Sequence, residues 1–265
     1  MPEHIPRAEE HRLNGSKPAD VAWVVPRPNP RATVRLFCFP YAGGSAQVYQ
    51  AWPWDLPETA EVYAVQYPGR GFQQHQLPLR HLSSLVGLLS ESIAPLLDKP
   101  FAFFGHSMGA LVAFELTRML RRQNGPQPFH LYVSGFRAPQ LPKTGRDLHR
   151  LSDPDLVYQL GKFNGTPAEV LEAGELMSLI LPTIRADFEV CETYAYQAEP
   201  PLACALSAFG GLQDSEVPRE RLEAWRTQTT GPFTVRMFLG DHFYLKVSQP
   251  IVLRILAREL YRPLG

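Results

Sequence analysis

Cysteine, net charge and long apolar runs are all scarce in this sequence. Its 265 residues include three cysteines, Cys38, Cys191 and Cys204, which lack the paired spacing of a zinc site or a disulfide framework. Lysine plus arginine and aspartate plus glutamate each total 26, so no net field attracts nucleic acid or an anionic membrane. A helix that spans a membrane needs about 18 consecutive uncharged apolar residues, and the sequence has no such run. We therefore predict a cytoplasmic protein that recognises its partners locally.

The first 20 residues are polar and charged, and they lack the apolar core of a signal peptide. We predict a disordered tail over residues 1–20. Hydrophobic residues make up 45% of the chain, which is enough for one large core. Residues 21–265 are therefore predicted to form a single domain.

From residue 33 onward, short runs rich in β-branched and aromatic residues alternate with helix-like segments. This pattern predicts an α/β fold, with a mostly parallel sheet flanked by helices. The predicted strands span residues 33–39, 61–66, 101–104, 130–134, 203–209 and 234–239. The predicted helices span about 81–97, 108–123, 217–227 and 244–261. Cys38 lies within the first strand, where a buried thiol without chemistry is expected.

Between residues 134 and 203 the chain is much longer than a single crossover helix requires. We interpret residues 140–200 as an inserted helical lid. Ser152-Asp153-Pro154 and Thr166-Pro167 are typical helix starts, in which a capping side chain precedes a proline. Apolar residues around Leu176 to Ile184 fit either an acyl pocket or simple helix core, and Arg185 and Asp187 are expected to have structural roles.

The motif Gly105-His106-Ser107-Met108-Gly109 stands directly after the predicted strand at 101–104 and before an apolar-periodic helix. A serine on such a sharp strand-to-helix turn is a nucleophile elbow. Glycines two residues to either side remove Cβ atoms that would collide with neighbouring chain. The sequence therefore predicts Ser107 as nucleophile, with the Met108 N–H at the helix N-terminus as an oxyanion donor.

A serine nucleophile needs a base, and the sequence offers eight histidines. His242 follows the last predicted strand, in Gly240-Asp241-His242-Phe243, and so lies where such sheets build their sites. His106 adjoins the serine but is expected to point away from it. The others have no convincing placement: His4, His11, His75, His81, His130 and His149. We predict His242 as the general base.

The third group should be a carboxylate that orients the histidine, and the chain order in this architecture is serine, acid, histidine. Asp214 fits best because it directly follows the predicted strand at 203–209. Asp241, Asp187 and Glu216 remain as weaker alternatives.

A second oxyanion donor is expected from the loop after the first predicted strand. Phe39-Pro40-Tyr41-Ala42-Gly43-Gly44-Ser45 is that loop, and its glycines let the main chain approach a ligand closely. The Ala42 N–H is the predicted donor, with Tyr41 as the alternative.

Six segments follow one another along most of the chain: Leu36-Phe37-Cys38-Phe39-Pro40-Tyr41-Ala42-Gly43-Gly44-Ser45, Tyr67-Pro68-Gly69-Arg70-Gly71, Lys99-Pro100-Phe101-Ala102-Phe103-Phe104-Gly105-His106-Ser107-Met108-Gly109, Ser134-Gly135-Phe136-Arg137-Ala138-Pro139, Leu181-Pro182-Thr183-Ile184-Arg185-Ala186-Asp187 and Gly240-Asp241-His242-Phe243-Tyr244-Leu245. Together they resemble the type II, or external, thioesterases of polyketide and nonribosomal peptide synthetases. They are also similar to the medium-chain thioesterase of fatty acid synthesis.

The resemblance implies an α/β-hydrolase fold with nucleophile, acid and base at Ser107, Asp214 and His242, and oxyanion donors at Ala42 and Met108. It implies hydrolysis of acyl groups from the phosphopantetheine arm of acyl or peptidyl carrier proteins, through an acyl-serine. No metal or cofactor is required, because the substrate itself carries the phosphopantetheine. A monomer is expected.

Other functions are compatible with the same residues. A small-molecule carboxylesterase or lipase uses the same triad, and an acyltransferase passes the acyl group to an acceptor other than water. A catalytically inactive carrier-binding module is a further alternative, which the three intact side chains make less attractive.

Overall fold

This computed structural model describes residues 21–261, and a seven-stranded sheet forms its centre. The strands are β1 (Ala22–Val24), β2 (Val34–Phe39), β3 (Ala60–Gln66), β4 (Phe101–His106), β5 (His130–Ser134), β6 (Ala205–Gly211) and β7 (Phe233–Phe238). Their order is β1-β3-β2-β4-β5-β6-β7. β1 pairs antiparallel with β3, whereas the other neighbours are parallel. The carboxyl ends of β2 to β7 therefore meet at one edge, where such sheets build their sites.

Seven α-helices are found among the described residues: α1 (Leu82–Ile93), α2 (Met108–Arg122), α3 (Asp153–Lys162), α4 (Ala168–Glu172), α5 (Gly174–Glu192), α6 (Arg219–Glu223) and α7 (Leu245–Leu260). The buried positions of α1 recur three and four residues apart, as one face of an amphipathic helix requires. Pro95, in the short 3₁₀ turn Ala94–Leu96, follows directly and ends the α-helical pattern.

Successive side chains of β2 point to opposite faces of the sheet and divide the core in two. Leu36 and Cys38 belong to the cluster on one face, which α7 covers. Phe37 and Phe39 belong to the cluster on the other face, which α1 and α2 cover. Because a strand buried on both faces needs apolar side chains on both, the residues from Leu36 to Phe39 are all apolar.

Helices α3, α4 and α5 lie in the long connection between β5 and β6. α3 has the predicted cap, because the Ser152 hydroxyl accepts the Asp155 N–H and Pro154 stands in the first turn. A third apolar cluster joins these helices and includes Leu156, Leu160, Met177, Leu181 and Ile184. The insertion thus has a small core of its own.

The predicted fold class, an α/β sheet of mostly parallel strands flanked by helices, is confirmed. The sequence pattern does not predict β1, because three residues are too few to show a period. The expected cap at Thr166 is wrong: Pro167 holds the cap position of α4 and offers no side-chain hydrogen bond. The tail predicted over residues 1–20 lies outside the described residues. None of the described helices is long and apolar enough to cross a membrane.

Candidate active site

Ser107 occupies the turn between β4 and α2 with φ 53° and ψ −118°, a conformation that costs energy for a residue with a Cβ. Two glycines make the turn possible. A Cβ on Gly105 would lie 2.1 Å from the Gly109 carbonyl oxygen, and one on Gly109 would lie 1.9 Å from that of Phe39. The Ser107 N–H donates to the Ser134 carbonyl at 2.7 Å. The serine is thus held at the carboxyl edge of the sheet.

The structure brings Ser107, His242 and Asp214 together from three separate turns. His242 Nε2 lies 3.0 Å from Ser107 Oγ, and His242 Nδ1 lies 2.8 Å from Asp214 Oδ2. An ionised carboxylate only accepts hydrogen bonds, so Asp214 favours the imidazole tautomer with its proton on Nδ1. Nε2 is then free to accept the serine proton, which is the geometry of nucleophilic catalysis.

Asp214 is buried directly after β6, and its second carboxylate oxygen is also bonded. Oδ1 accepts the backbone N–H groups of Glu216 at 2.9 Å and Val217 at 3.1 Å. These bonds orient the carboxylate toward His242. Asp241, a weaker sequence candidate, instead accepts from the Phe243 N–H and from the Asn164 side-chain amide.

The backbone N–H groups of Ala42 and Met108 donate to no acceptor within residues 21–261. Met108 is the first residue of α2, where an N–H has no intrahelical acceptor. Ala42 and the alternative donor Tyr41 both line a cavity that opens beside Ser107. Both predicted donors are therefore available to an oxyanion formed at Ser107.

A family model described as a thioesterase domain matches residues 34–260, which is most of the chain. The chain belongs to the thioesterase family. The family predicted from the sequence motifs is thereby confirmed, and with it an α/β-hydrolase-like fold and the assignment to hydrolases.

This thioesterase is also similar to individual relatives and to solved structures. It is 44% identical over 232 residues to the gramicidin S biosynthesis protein GrsT of Aneurinibacillus migulanus, covering 88% of this chain and 91% of GrsT. It is 38% identical over 219 residues to thioesterase PikA5 of Streptomyces venezuelae, covering 82% and 78%. The solved type II thioesterase BorB, from the borrelidin biosynthetic cluster, is 37% identical with a TM-score of 0.83, covering 93% and 100%.

An apolar cavity of about 240 Å³ opens beside Ser107 and His242 in this thioesterase. The loop after β2 forms one side of the cavity, and the insertion between β5 and β6 forms the other side together with Phe243. Its apolar lining includes Leu160, Phe163, Ile180, Ile184, Phe188 and Phe243. A cavity of this character suits an aliphatic chain joined to a carbonyl at Ser107. Of the apolar run predicted around 176–184, Ile180 and Ile184 line this cavity.

Arg185 and Asp187 pair with neighbouring residues and not with each other. Arg185 binds Asp153 at 2.5 Å and two backbone carbonyls that precede α3. Asp187 is buried and pairs with Arg70 in the loop after β3. The sequence reasoning misses Arg70, although its position between two glycines in Tyr67-Pro68-Gly69-Arg70-Gly71 was a signal that this loop is tightly built.

His106 is fully buried and points away from the serine hydroxyl, as predicted. Its Nδ1 lies 2.7 Å from Ser134 Oγ, which in turn lies 2.5 Å from the Tyr244 hydroxyl. Burial lowers the pKa of His106 well below its ordinary value, and His242 nearby lowers it further. His75 and His81 are exposed, while His130 and His149 bond to Ser207 and Glu192. His4 and His11 lie outside the described residues.

Two other groups of reactive side chains have environments that favour structural roles. Cys38 is buried, and burial raises the pKa of its thiol well above the ordinary value. Asp147, His149 and Glu192 are close enough to ligate a metal ion. However, Glu192 already binds His149 at 2.5 Å, and Lys143 pairs with both carboxylates. The lysine ammonium therefore supplies the positive charge that this cluster needs.

Proposed function

We propose that this protein is a serine thioesterase that hydrolyses acyl groups from the phosphopantetheine arm of carrier proteins. The observation that carries the proposal is the pair of hydrogen bonds joining Ser107, His242 and Asp214 beside an apolar cavity. The similarity to GrsT and to the type II thioesterase BorB supports a carrier-bound substrate. Editing or release in polyketide, nonribosomal peptide or fatty acid synthesis is the role that fits such a substrate.

The reaction proceeds in two displacements. His242 Nε2 takes the proton of Ser107 as Oγ attacks the thioester carbonyl, and the Ala42 and Met108 N–H groups stabilise the oxyanion. The C–S bond then breaks, and the leaving pantetheine thiolate receives the proton from His242. Water next attacks the acyl-serine while His242 accepts a water proton. Collapse of the second oxyanion releases the acid and returns the proton to Ser107.

Asp214 supports both steps through His242. Its Oδ2 keeps the imidazole in the productive tautomer and stabilises the imidazolium that forms transiently. The chemistry requires no cofactor of the enzyme, because nucleophile, base and oxyanion donors all come from the chain. We further propose that the protein acts as a monomer in the cytoplasm, with acyl or peptidyl carrier proteins as its partners.

The test compares three classes of substrate with the same acyl group. Carrier protein bearing acetyl, butyryl or decanoyl phosphopantetheine is compared with the corresponding acyl-pantetheine and nitrophenyl ester, with release followed by mass spectrometry. We expect kcat/KM to be highest for the loaded carrier and Ser107→Ala to be inactive on all three. A preference for simple esters, with no gain from the carrier, would identify a carboxylesterase instead.

Two controls address the remaining alternatives. Transfer of the acyl group to a nucleophile other than water would appear as a conjugate in the same mass spectra and would identify an acyltransferase. A fluorophosphonate probe should label wild-type protein and not Ser107→Ala. Failure to label wild type would indicate an inactive carrier-binding module.

A further inference from the structure

A second cavity, of about 320 Å³, meets the apolar cavity at the catalytic side chains. Ser107, His242 and Ala42 line both cavities, so the site is reached from two sides. The second cavity differs from the first in its charge, because four cationic side chains line it: Arg137, Lys143, Arg146 and Arg221. The substrate likewise has an apolar acyl chain on one side of the thioester and a pantetheine arm with an anionic phosphate on the other.

Three of the four cations are uncompensated. Lys143 pairs with Asp147 and lies 3.5 Å from Glu192, so its charge is balanced locally. By contrast, Arg137, Arg146 and Arg221 are paired with no carboxylate within the described chain. Glu216 is the other acidic residue in the lining. The cavity thus has three free positive charges against one negative charge.

Arg137 is held in place without losing its capacity to bind an anion. Its Nε donates to the Leu141 carbonyl at 3.3 Å, and its guanidinium lies 5.1 Å from the centre of the Phe136 ring. Its two Nη groups donate to no acceptor among the described residues. Burial lowers the pKa of Arg137, and the charge of Arg221 also lowers it. An anion between these arginines would relieve both effects.

Arg221 is positioned at the same cavity by one neutral contact, because its Nη1 donates to the Thr144 hydroxyl at 2.9 Å. Arg146 is exposed two residues beyond Thr144. The three guanidinium groups therefore come from two segments, the connection after β5 and helix α6. Guanidinium groups present N–H donors in a fork that matches phosphate oxygens.

We propose that Arg137, Arg146 and Arg221 bind the phosphate of the pantetheine arm that delivers the thioester. This inference rests on the proposed function and specifies how its substrate is held. The acyl chain enters the apolar cavity, the thioester carbonyl meets Ser107, and the pantetheine arm leaves through the basic cavity toward the carrier. The phosphate monoester or diester is the recognised group, whether it belongs to a carrier protein or to coenzyme A.

The test uses a pair of substrates that differ only in the phosphate. Octanoyl-pantetheine is compared with octanoyl-4′-phosphopantetheine, for wild type and for Arg137→Gln, Arg146→Gln and Arg221→Gln. We expect wild type to prefer the phosphorylated substrate about tenfold or more in kcat/KM, as charge-assisted hydrogen bonds allow. Each variant should reduce that preference, measured as the ratio of kcat/KM for the phosphorylated substrate to kcat/KM for octanoyl-pantetheine. Arg254→Gln is the matched control, since Arg254 is exposed on α7 and lines neither cavity.

Octanoyl-CoA and octanoyl carrier protein distinguish the two sources of the phosphate. A loss on both shows recognition of the phosphate itself, and a loss on carrier alone would assign the arginines to the carrier surface and overturn the proposal. An unchanged preference in all three variants would also overturn it. If wild type hydrolyses neither the pantetheine thioesters nor octanoyl carrier protein, the proposed function fails, and calorimetric binding of 4′-phosphopantetheine against pantetheine by Ser107→Ala tests the phosphate site independently.

Discussion

Arg70 and Asp187 form a buried two-point ion pair that connects helix α5 to the loop carrying Ala42. Arg70 Nη1 and Nη2 lie 2.6 and 2.7 Å from the two carboxylate oxygens, and Asp187 Oδ2 also accepts the Gly43 N–H at 2.7 Å. Arg70 in addition donates to the Gly44 carbonyl at 3.2 Å. The position of the proposed oxyanion donor Ala42 therefore depends on an ion pair outside the cavity.

Replacing Asp187 by Ala should reduce both stability and turnover. Removing one partner of a buried ion pair leaves an uncompensated charge, at a cost of about 3 kcal/mol in the free energy of unfolding. The loss of the acceptor for Gly43 should lower kcat while KM changes little, because the oxyanion exists only in the reaction. Urea unfolding and steady-state kinetics measure the two effects. Asp98→Ala is the control, since Asp98 is an exposed partner of Arg35 and its loss should lower the free energy of unfolding much less.

A double variant separates positioning from stability. Arg70→Leu with Asp187→Leu replaces the ion pair by apolar groups, which is often neutral for stability. It should regain most of the unfolding free energy lost in Asp187→Ala, but kcat should remain low because Gly43 still lacks its acceptor. Full recovery of kcat would show that the pair only stabilises the fold.

Ile184 is expected to limit the length of the acyl chain. It lines both the cavity of about 240 Å³ at Ser107 and a neighbouring cavity of about 820 Å³ between the β2 loop and α5. Ile184→Ala should connect the two cavities, and the maximum of kcat/KM should then move to longer acyl chains. A series of acyl-pantetheines from four to fourteen carbons measures the shift. Leu179→Ala, which changes only the larger cavity, should leave the ranking unchanged.

His106 should make the protein less stable in mild acid. Its pKa is lowered by burial, whereas the unfolded chain binds a proton near pH 6.5. The stabilisation is therefore fully present above pH 6.5 and is lost as the pH falls, by up to about 1.4 kcal/mol per pH unit. Urea unfolding at pH 7.5 and 5.5 measures the effect, and the free energy of unfolding should fall less between these pH values for His106→Asn than for wild type. The exposed His75→Asn should keep the wild-type difference.

Replacement by alanine should be harmful at Gly109 and stabilising at Gly87. A Cβ on Gly109 would lie 1.9 Å from the Phe39 carbonyl oxygen, so Gly109→Ala must displace β2 or the elbow and should abolish activity. Gly87 lies within α1 with no atom near the added Cβ, so Gly87→Ala should raise the unfolding free energy by about 0.5–1 kcal/mol. An active, stable Gly109→Ala enzyme would show that the elbow does not need this close approach.

The fold was predictable because its central strands are buried on both faces and its motifs are local. β2 and β4 contain the continuous apolar runs 36–39 and 101–104, and the glycines around Ser107, where a Cβ would collide, mark the turn in the sequence. His242 and Asp214 were accessible to sequence reasoning because each follows a strand at the same sheet edge. These signals all lie within a few residues of a recognisable element.

The contacts across long separations were not predictable in the same way. Arg70 and Asp187 are 117 residues apart, and no local period or turn signal relates them. Arg137 and Arg221 likewise converge only because β5 and β6 are neighbours in the sheet. Such pairs depend on how the insertion packs against the sheet edge, which the sequence pattern alone does not specify.

We propose that Ser107 carries the acyl group of a carrier-bound thioester during the reaction. The most direct measurement mixes the enzyme with decanoyl carrier protein, quenches the reaction within one turnover, and locates added mass by peptide mass spectrometry. We predict a decanoyl group on the peptide containing Ser107, followed by release of decanoic acid, and neither with Ser107→Ala. Deacylation of the carrier by Ser107→Ala at the wild-type rate would contradict the account.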